Sequence, residues 1–287
     1  MQINANYHTH TTFCDGTDTA EDMVRAAIAL GFEHLGFSGH LDYFAHVDVP
    51  RYFAEILRLE EKYRADIEIL CGIELDSLYD SRAAEGADYI IGSTHYLDPP
   101  PVDGEYISVD SRVENIHRLA ELFFGGDYYR LTRAYYELEA LAVERMHPTF
   151  IGHFDLVTRF NDLPKEQGGH FVDETDPRYL RPALEALEAL IKTGTPIEIN
   201  CGAINRGRKR EPYPAPPLLK AIRELGGEVL LSADAHQKEK LSGGFDTALE
   251  RARAAGFDHV LILTRDGSPP NTRPANDKLF WQEIPIL

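Results

Sequence analysis

Short apolar runs alternate along the chain with longer stretches in which apolar residues recur at helical spacing. The runs are four to eight residues long and are bounded by polar or turn-forming residues, a pattern typical of β-strands. They predict eight strands, at residues 2–8, 33–38, 67–73, 88–92, 149–152, 196–200, 228–232 and 258–263.

The stretches between these runs predict amphipathic helices. One of them carries apolar residues every three or four positions, at Leu180, Leu184, Leu187 and Ile191. Residues 111–146 predict two helices, because Gly125 and Gly126 interrupt the helical pattern. Strands and helices that alternate in this way predict an α/β fold with a parallel sheet, either an open doubly wound sheet or a closed barrel.

No change in composition marks a domain boundary. We therefore expect residues 1–287 to form a single α/β domain, with residues 265–287 a tail that packs on it or on a neighbouring subunit. Long irregular segments follow three of the predicted strands, at residues 96–110, 160–177 and 201–216.

Charge and composition narrow the range of partners. The chain has 29 lysine and arginine residues against 47 aspartate and glutamate residues, a formal net charge of −18. This acidity disfavours nucleic acids and anionic membranes, and an anionic small substrate would need a local island of positive charge. Three widely spaced cysteines and the lack of a signal-like or membrane-spanning segment favour a reducing cytoplasm. The oligomeric state cannot be predicted from these features.

Six histidines and three carboxylates lie at or just beyond the predicted strands, where the C-terminal ends of barrel strands converge. They are His8, His10, Asp15, His40, Glu74, His95, His153, Asp234 and His236. Packed together without a cation, the carboxylates would repel one another, and divalent metals suit such mixed nitrogen and oxygen ligands. A catalytic zinc takes about three protein ligands, so nine ligands fit three ions of Zn, Fe or Mn better than one.

Candidate substrate contacts follow the same strands. Arg159 follows His153 in the segment GHFDLVTRF, and Arg206 begins a basic cluster with Arg208, Lys209 and Arg210. Arginine is well shaped for bidentate phosphate binding, so these residues predict a phosphate site. Two further candidates are chosen by their position alone: Asn200, at the end of the sixth strand, and His170, in the loop after the fifth.

The segments HTHTTFCDG, SGHLDY, GIE, GSTH, GHFD and SADAH, in this order, resemble the polymerase-and-histidinol-phosphatase (PHP) superfamily. Within it, EINCGAINRGRKREPYP and GHFDLVTRF resemble the histidinol-phosphatase branch. The resemblance implies a distorted TIM-like (β/α)7 barrel with a trinuclear metal site on its C-terminal face. The strand predicted at residues 258–263 is one more than seven, and could close the barrel or lie outside it.

The resemblance also implies roles for the nine ligands. His8, His10, Glu74 and Asp234 would hold one metal, Glu74 would bridge to a second with His95 and His153, and Asp15, His40 and His236 would hold the third. The implied activity is metal-dependent hydrolysis of L-histidinol phosphate to L-histidinol and phosphate, with Asp42 or Asp155 pairing with the cationic end of the substrate. The alternatives are a PHP phosphoesterase for another small phosphate ester or a nucleotide, and a metal-binding domain without activity.

Overall fold

The computed structural model describes residues 3–98 and 100–286. Gln2, the first residue of the predicted first strand, lies outside the described residues, as do Met1, Pro99 and Leu287. The strands of the described part are β1 (Ala5–Asn6), β2 (His34–Leu41), β3 (Glu68–Asp76), β4 (Tyr89–Ser93), β5 (Phe150–Ile151), β6 (Ile197–Asn200), β7 (Val229–Ser232), β8 (His259–Thr264), β9 (Thr272–Pro274) and β10 (Phe280–Pro285).

All ten of these strands join one sheet, and the eight that the apolar runs predict are all present. The sheet order is β1-β2-β3-β4-β5-β6-β7-β8-β10-β9, and the strands from β1 to β8 pair parallel with one another. β1 and β5 are two residues long, shorter than the predicted runs. Because the parallel strands follow one another in chain order, their C-terminal ends form one continuous face.

The two ends of the parallel sheet come together. Thr9, beyond β1, forms a parallel bridge with Ala235, beyond β7. The hydroxyl group of Tyr7 donates to the carbonyl of Leu263 on β8 at 2.6 Å and accepts from its amide at 3.0 Å. These contacts give the α/β fold the curvature of a distorted barrel, in which β8 lies beside β7 and contacts the segment that continues β1.

Helices connect the strands. They are α1 (Ala20–Ala29), α2 (Val49–Tyr63), α3 (Val113–Phe124), α4 (Tyr128–Ala140), α5 (Ala142–Met146), α6 (Pro177–Ile191), α7 (Gly202–Asn205), α8 (Pro216–Glu224) and α9 (Phe245–Ala255). The predicted break at Gly125 and Gly126 separates α3 from α4, and both glycines have positive φ. In α6 the helix is as predicted and Leu187 is buried, but Leu184 is exposed, because the buried face also runs through Tyr179, Ala183 and Leu190.

The side chain of Tyr89 packs against the inner face of the curved sheet. Gly72 and Glu74 lie on the same face of β3, because alternate residues of a strand point the same way. The ring of Tyr89 covers Gly72 so closely that a Cβ there would lie 2.2 Å from it, and a Cβ at Gly36 would lie 2.4 Å from the Tyr89 hydroxyl oxygen. That hydroxyl group is 2.6 Å from the carbonyl oxygen of Tyr7. Tyr89 therefore forms a packed floor beneath Glu74.

The segment after β8 turns back onto the sheet. β10 pairs antiparallel with β8 along all six of its residues, and β9 then pairs with β10. Trp281 of β10 is buried, and its ring centroid lies 6.4 Å from that of Phe150. The sequence pattern did not predict these two strands. Among the described helices, none combines the length and the apolar character that a membrane crossing requires.

Candidate metal centre

The nine predicted ligands gather at the C-terminal face of the parallel strands. Seven of them line one pocket of about 240 Å³, and His8 and His10 lie buried beside it. The rest of the pocket wall consists of Asp110, Ser111, Leu156, Arg159 and Arg206. The parallel arrangement explains the convergence, since each ligand lies at or just after a strand end.

Glu74 lies at the centre of the histidines. Its Oε2 is 3.1 Å from Nε2 of His8, 3.3 Å from Nε2 of His10 and 3.0 Å from Nδ1 of His40. Its Oε1 is 3.0 Å from Nε2 of His153 and 3.4 Å from Nε2 of His95. The two oxygens of one carboxylate thus face two different sets of imidazoles, which is the geometry that a bridging ligand requires.

At this pocket, three groups of side chains bring candidate ligand atoms within 4.8 Å of one another. The groups are His8, His10 and Glu74; Glu74, His95 and His153; and His10, Asp15, His40 and His236. Asp234 lies between the first and third groups, with Oδ1 at 3.5 Å from Nε2 of His10 and 3.4 Å from Nδ1 of His236. The groups resemble the three ligand sets that the family resemblance implies, except that His10 belongs to two of the groups.

The polar atoms of this cluster fit divalent cations. Four buried atoms of the cluster have no partner with hydrogen-bond geometry among the described residues, despite the short distances between them. They are His8 Nε2, His10 Nε2, His40 Nδ1 and Glu74 Oε2. Burial alone would raise the pKa of Glu74, but the charges of His8 and His40 hold it well below its usual range. Buried polar atoms without partners are costly, and a cation would satisfy the imidazoles and the carboxylate together.

Buried carboxylates behind the cluster hold two of the imidazoles. Glu198 accepts from Nδ1 of His8 at 2.9 Å and from the hydroxyl of Ser232 at 2.5 Å. Asp76 accepts from the backbone amide of His95 at 2.8 Å, and its Oδ2 is 3.3 Å from Nδ1 of that residue. Such contacts fix the orientation and tautomer of a metal-binding imidazole.

The sequence analysis missed Glu198 and Asp76, although both carried a signal. Glu198 interrupts the apolar strand IEIN, and Asp76 follows Glu74 at the two-residue spacing that places both on one face of β3. Asn200, predicted as a substrate contact, is wholly buried and lies behind the pocket wall. Its side chain donates to Glu198 at 2.7 Å and accepts from the amide of Gly202 at 2.7 Å, so it supports the carboxylate that holds His8.

Two arginines supply positive charge to the pocket. Arg159 Nη1 donates to Asp110 Oδ2 at 2.5 Å, and Arg206 Nη2 is 3.3 Å from Asp234 Oδ1. Burial would raise the pKa of Asp110, but the charge of Arg159 holds it below its usual value. Asp110 was also missed from the sequence, because it lies in the irregular segment 96–110.

Within the basic cluster, Arg206 alone lines the pocket. Arg208 and Arg210 are exposed. Lys209 is buried and donates to the hydroxyl of Thr158 at 3.0 Å, which ties this loop to the turn before Arg159.

The structure does not bring the remaining predicted substrate contacts into the pocket. Oδ1 of Asp42 accepts from the amides of Phe44 and Ala45, both at 2.7 Å, and so closes a turn. Asp155 is buried and accepts from the amide of Ala215 at 2.9 Å. His170 is exposed and lines a separate surface depression, because its loop folds back over α4 and away from the strand ends.

The fold and the site together define the class of this protein. It is an α/β protein with a curved parallel sheet, and the strand ends converge on a candidate multi-metal site of histidines, carboxylates and arginines. The PHP domain model matches residues 6–202, and the chain belongs to the PHP domain family. The match includes the candidate ligands from His8 to His153, whereas Arg206, Asp234 and His236 follow it in the chain.

Relatives and solved structures extend the similarity to nearly the whole chain. A protein of Deinococcus radiodurans named "Probable histidinol-phosphatase" is 28% identical, over 91% of this chain and 97% of its own. The histidinol-phosphatase of Lactococcus lactis is 26% identical, over 90% of this chain and 94% of its own. A similar solved structure is the crystal structure of a histidinol phosphate phosphatase from Lactococcus lactis, complexed with Zn, L-histidinol and phosphate. The TM-score is 0.64 and the sequence identity 21%, and the match covers 91% of this chain and 97% of the Lactococcus lactis chain.

Proposed function

We propose that this protein is a metal-dependent phosphomonoesterase that hydrolyses L-histidinol phosphate to L-histidinol and phosphate. The observation that carries the proposal is one pocket whose wall combines Glu74, set between two groups of histidines, with Arg159 and Arg206. The relatives named as histidinol-phosphatases, which this chain matches over nearly its full length, support the choice of substrate.

We propose three divalent transition-metal ions, Zn, Fe or Mn, each held by one of the groups described above. When bound, these ions supply an acidified water as the nucleophile and neutralise charge on the phosphoryl oxygens. Glu198 holds the ring of His8 with Nε2 towards Glu74, and Asp76 binds the backbone amide of His95, so these two ligands are arranged before any ion binds.

Arg159 and Arg206 bind and orient the phosphate. A guanidinium group donates two parallel hydrogen bonds to phosphate oxygens, and it stays charged near neutral pH. With the phosphate held, water attacks phosphorus, the bond to the ester oxygen breaks, and the alcohol leaves with a proton. Asp110 fixes Arg159 through its contact at 2.5 Å, so the orientation of this arginine does not depend on the substrate.

The dimensions and charge of the site favour a small substrate with a cationic end. A pocket of about 240 Å³ is below the roughly 300–1,000 Å³ that larger organic ligands occupy, and this favours a small ester over a nucleotide. The net charge of −18 repels a purely anionic ester, and the amine and imidazole of histidinol phosphate reduce that repulsion.

Phosphate release from a panel of monoesters, with metal analysis of the same sample, tests the proposal. L-histidinol phosphate should exceed AMP, a sugar phosphate and a simple alkyl phosphate in kcat/KM, because specificity is expressed in that ratio. If AMP or the sugar phosphate is hydrolysed tenfold better, the substrate assignment is wrong and the metal-dependent phosphoesterase remains. Arg210→Ala, an exposed change in the same loop as Arg206, is the matched control and should keep the wild-type rates.

A further inference from the structure

Five residues complete the pocket wall beside the candidate metal ligands. Two of them are the arginines that the proposed function assigns to the phosphate. Of the other three, Leu156 is apolar, Ser111 is neutral, and Asp110 carries a negative charge. Asp110 is therefore the one carboxylate on this wall that is not already a candidate metal ligand.

The two oxygens of Asp110 have different surroundings. Oδ2 accepts from Nη1 of Arg159 at 2.5 Å. Oδ1 has no hydrogen-bond partner among residues 3–98 and 100–286, and the Asp110 side chain keeps 20% of its surface exposed to the pocket. One oxygen is thus committed to the arginine, and the other is free to accept a hydrogen bond from a bound molecule.

A carboxylate at this position weakens the site for phosphate itself. It neutralises part of the charge of Arg159, and its own negative charge repels the phosphate that the arginine attracts. A neutral side chain such as asparagine could hold the guanidinium in place without this repulsion. A positive group that the substrate brings to the same wall would offset this repulsion.

L-Histidinol phosphate carries such a group close to its phosphate. Its ammonium is attached to the carbon next to the CH2 that bears the ester oxygen, so it lies within a few bonds of phosphorus. A phosphate held by Arg159 therefore places the ammonium near the partner of that arginine. An ammonium–carboxylate contact is a charge-assisted hydrogen bond, and such bonds are stronger than neutral ones.

We propose that Asp110 is a specificity-determining residue that binds the ammonium of the phosphate ester through Oδ1 while Oδ2 holds Arg159. This inference rests on the proposed function and names the part of the site that selects an amino-alkyl phosphate over a neutral alkyl phosphate. Arg159 and Asp110 then form one recognition unit, in which the arginine binds the phosphate and the aspartate binds the neighbouring cation.

The test compares paired esters that differ only in the amine. The pairs are L-histidinol phosphate with 3-(imidazol-4-yl)propyl phosphate, and phosphoethanolamine with ethyl phosphate. A charge-assisted hydrogen bond contributes about 1.5–3 kcal/mol, so the wild-type enzyme should prefer each amine-bearing ester by about 10- to 100-fold in kcat/KM. Asp110→Asn should remove most of this preference, because an amide retains the shape of the side chain without its charge.

Arg206→Ala is the contrasting variant, because it removes the other phosphate-binding arginine and leaves the Arg159–Asp110 pair intact. It should slow both members of a pair equally and leave the preference in place. Equal losses for both members in Asp110→Asn would show that Asp110 only positions Arg159 and would overturn the inference. An amine preference in the phosphoethanolamine pair, with L-histidinol phosphate a poor substrate, would support the role of Asp110 and contradict the proposed function. A wild-type enzyme that hydrolyses none of the four esters would overturn both.

Discussion

Glu139 provides a pH-dependent test of the packing behind the metal ligands. It lies on α4, is 1% exposed, and faces the hydroxyls of Thr94 and Tyr135. Oε2 of Glu139 and both hydroxyls lack a partner with good hydrogen-bond distance and angles. Burial raises the pKa of Glu139 from its ordinary value of 4.5 to about 8, so the folded protein keeps this carboxyl neutral at pH 7.

The direction in which Glu139 changes stability with pH follows from the pH at which the unfolded and the folded states release its proton. The unfolded chain releases it near pH 4.5, and the folded protein keeps it until about pH 8. The contribution of Glu139 to stability is therefore complete below about pH 4.5 and is lost as the pH rises through 8. At about 1.4 kcal/mol for each unit of pKa difference, roughly three units between pH 5 and pH 8 correspond to a loss of about 4 kcal/mol.

Glu139→Gln replaces the carboxyl with a neutral side chain of the same shape and removes this loss. Chemical denaturation of the wild-type protein and the variant at a series of pH values isolates the effect, because other titrating groups cancel in the difference. The variant should gain about 4 kcal/mol on the wild-type protein between pH 5 and pH 9. Glu137→Gln, on the exposed face of α4, is the matched control and should show no such trend. A difference between Glu139→Gln and wild type that stays constant over this pH range would refute the reasoning.

Three further predictions concern the site. Arg159→Ala should lower kcat/KM for the phosphate ester about 10- to 100-fold and leave the metal content intact, because it removes a charge-assisted hydrogen bond; unchanged kinetics would move the phosphate role to Arg206. Wild-type protein should hold two to three transition-metal ions per chain. Glu74→Gln should lose more than one of these ions together with most turnover, since the two oxygens of Glu74 face two ligand groups. Elemental analysis measures the metal content of both proteins, and less than one ion in active wild-type protein would contradict the assignment. Glu198→Gln should weaken metal affinity about 10- to 100-fold in competition with a chelator, as for other buried partners of ligating imidazoles, and equal affinities would show that His8 is oriented without Glu198.

The eight strands with apolar runs were predictable because burial on both faces leaves a continuous hydrophobic signal. β9 and β10 were not, because β10 has intermediate exposure at most positions and its sequence FWQEIP mixes apolar and charged residues. The exposed Leu184 shows a related limit. Helical spacing identifies α6, but the buried face depends on the neighbouring α4, which the pattern does not describe.

Candidate ligands could be found by position, because parallel strands bring their C-terminal ends together whatever their exact lengths. Substrate contacts depend on loop paths, and these have no periodicity from which to predict them. Arg159 and Arg206 line the pocket as expected, whereas the loop after β5 carries His170 away from it. Asp110 lies in segment 96–110, where only the folded chain shows that it contacts Arg159.

The antiparallel pairing of β10 with β8 covers a strand edge that would favour aggregation if it were bare. β8 reads HVLILT, an apolar six-residue segment without proline, and segments of this kind add readily to strands of other molecules when their edge is bare. β10 covers that edge, and β9 then becomes the outer strand, with only three residues. Its Pro274 has no amide to donate and its Arg273 is charged, so it is a poor template for a further strand. A chain that ended before residue 265 would keep every candidate metal ligand and yet expose β8, and we expect it to aggregate more readily than the full chain.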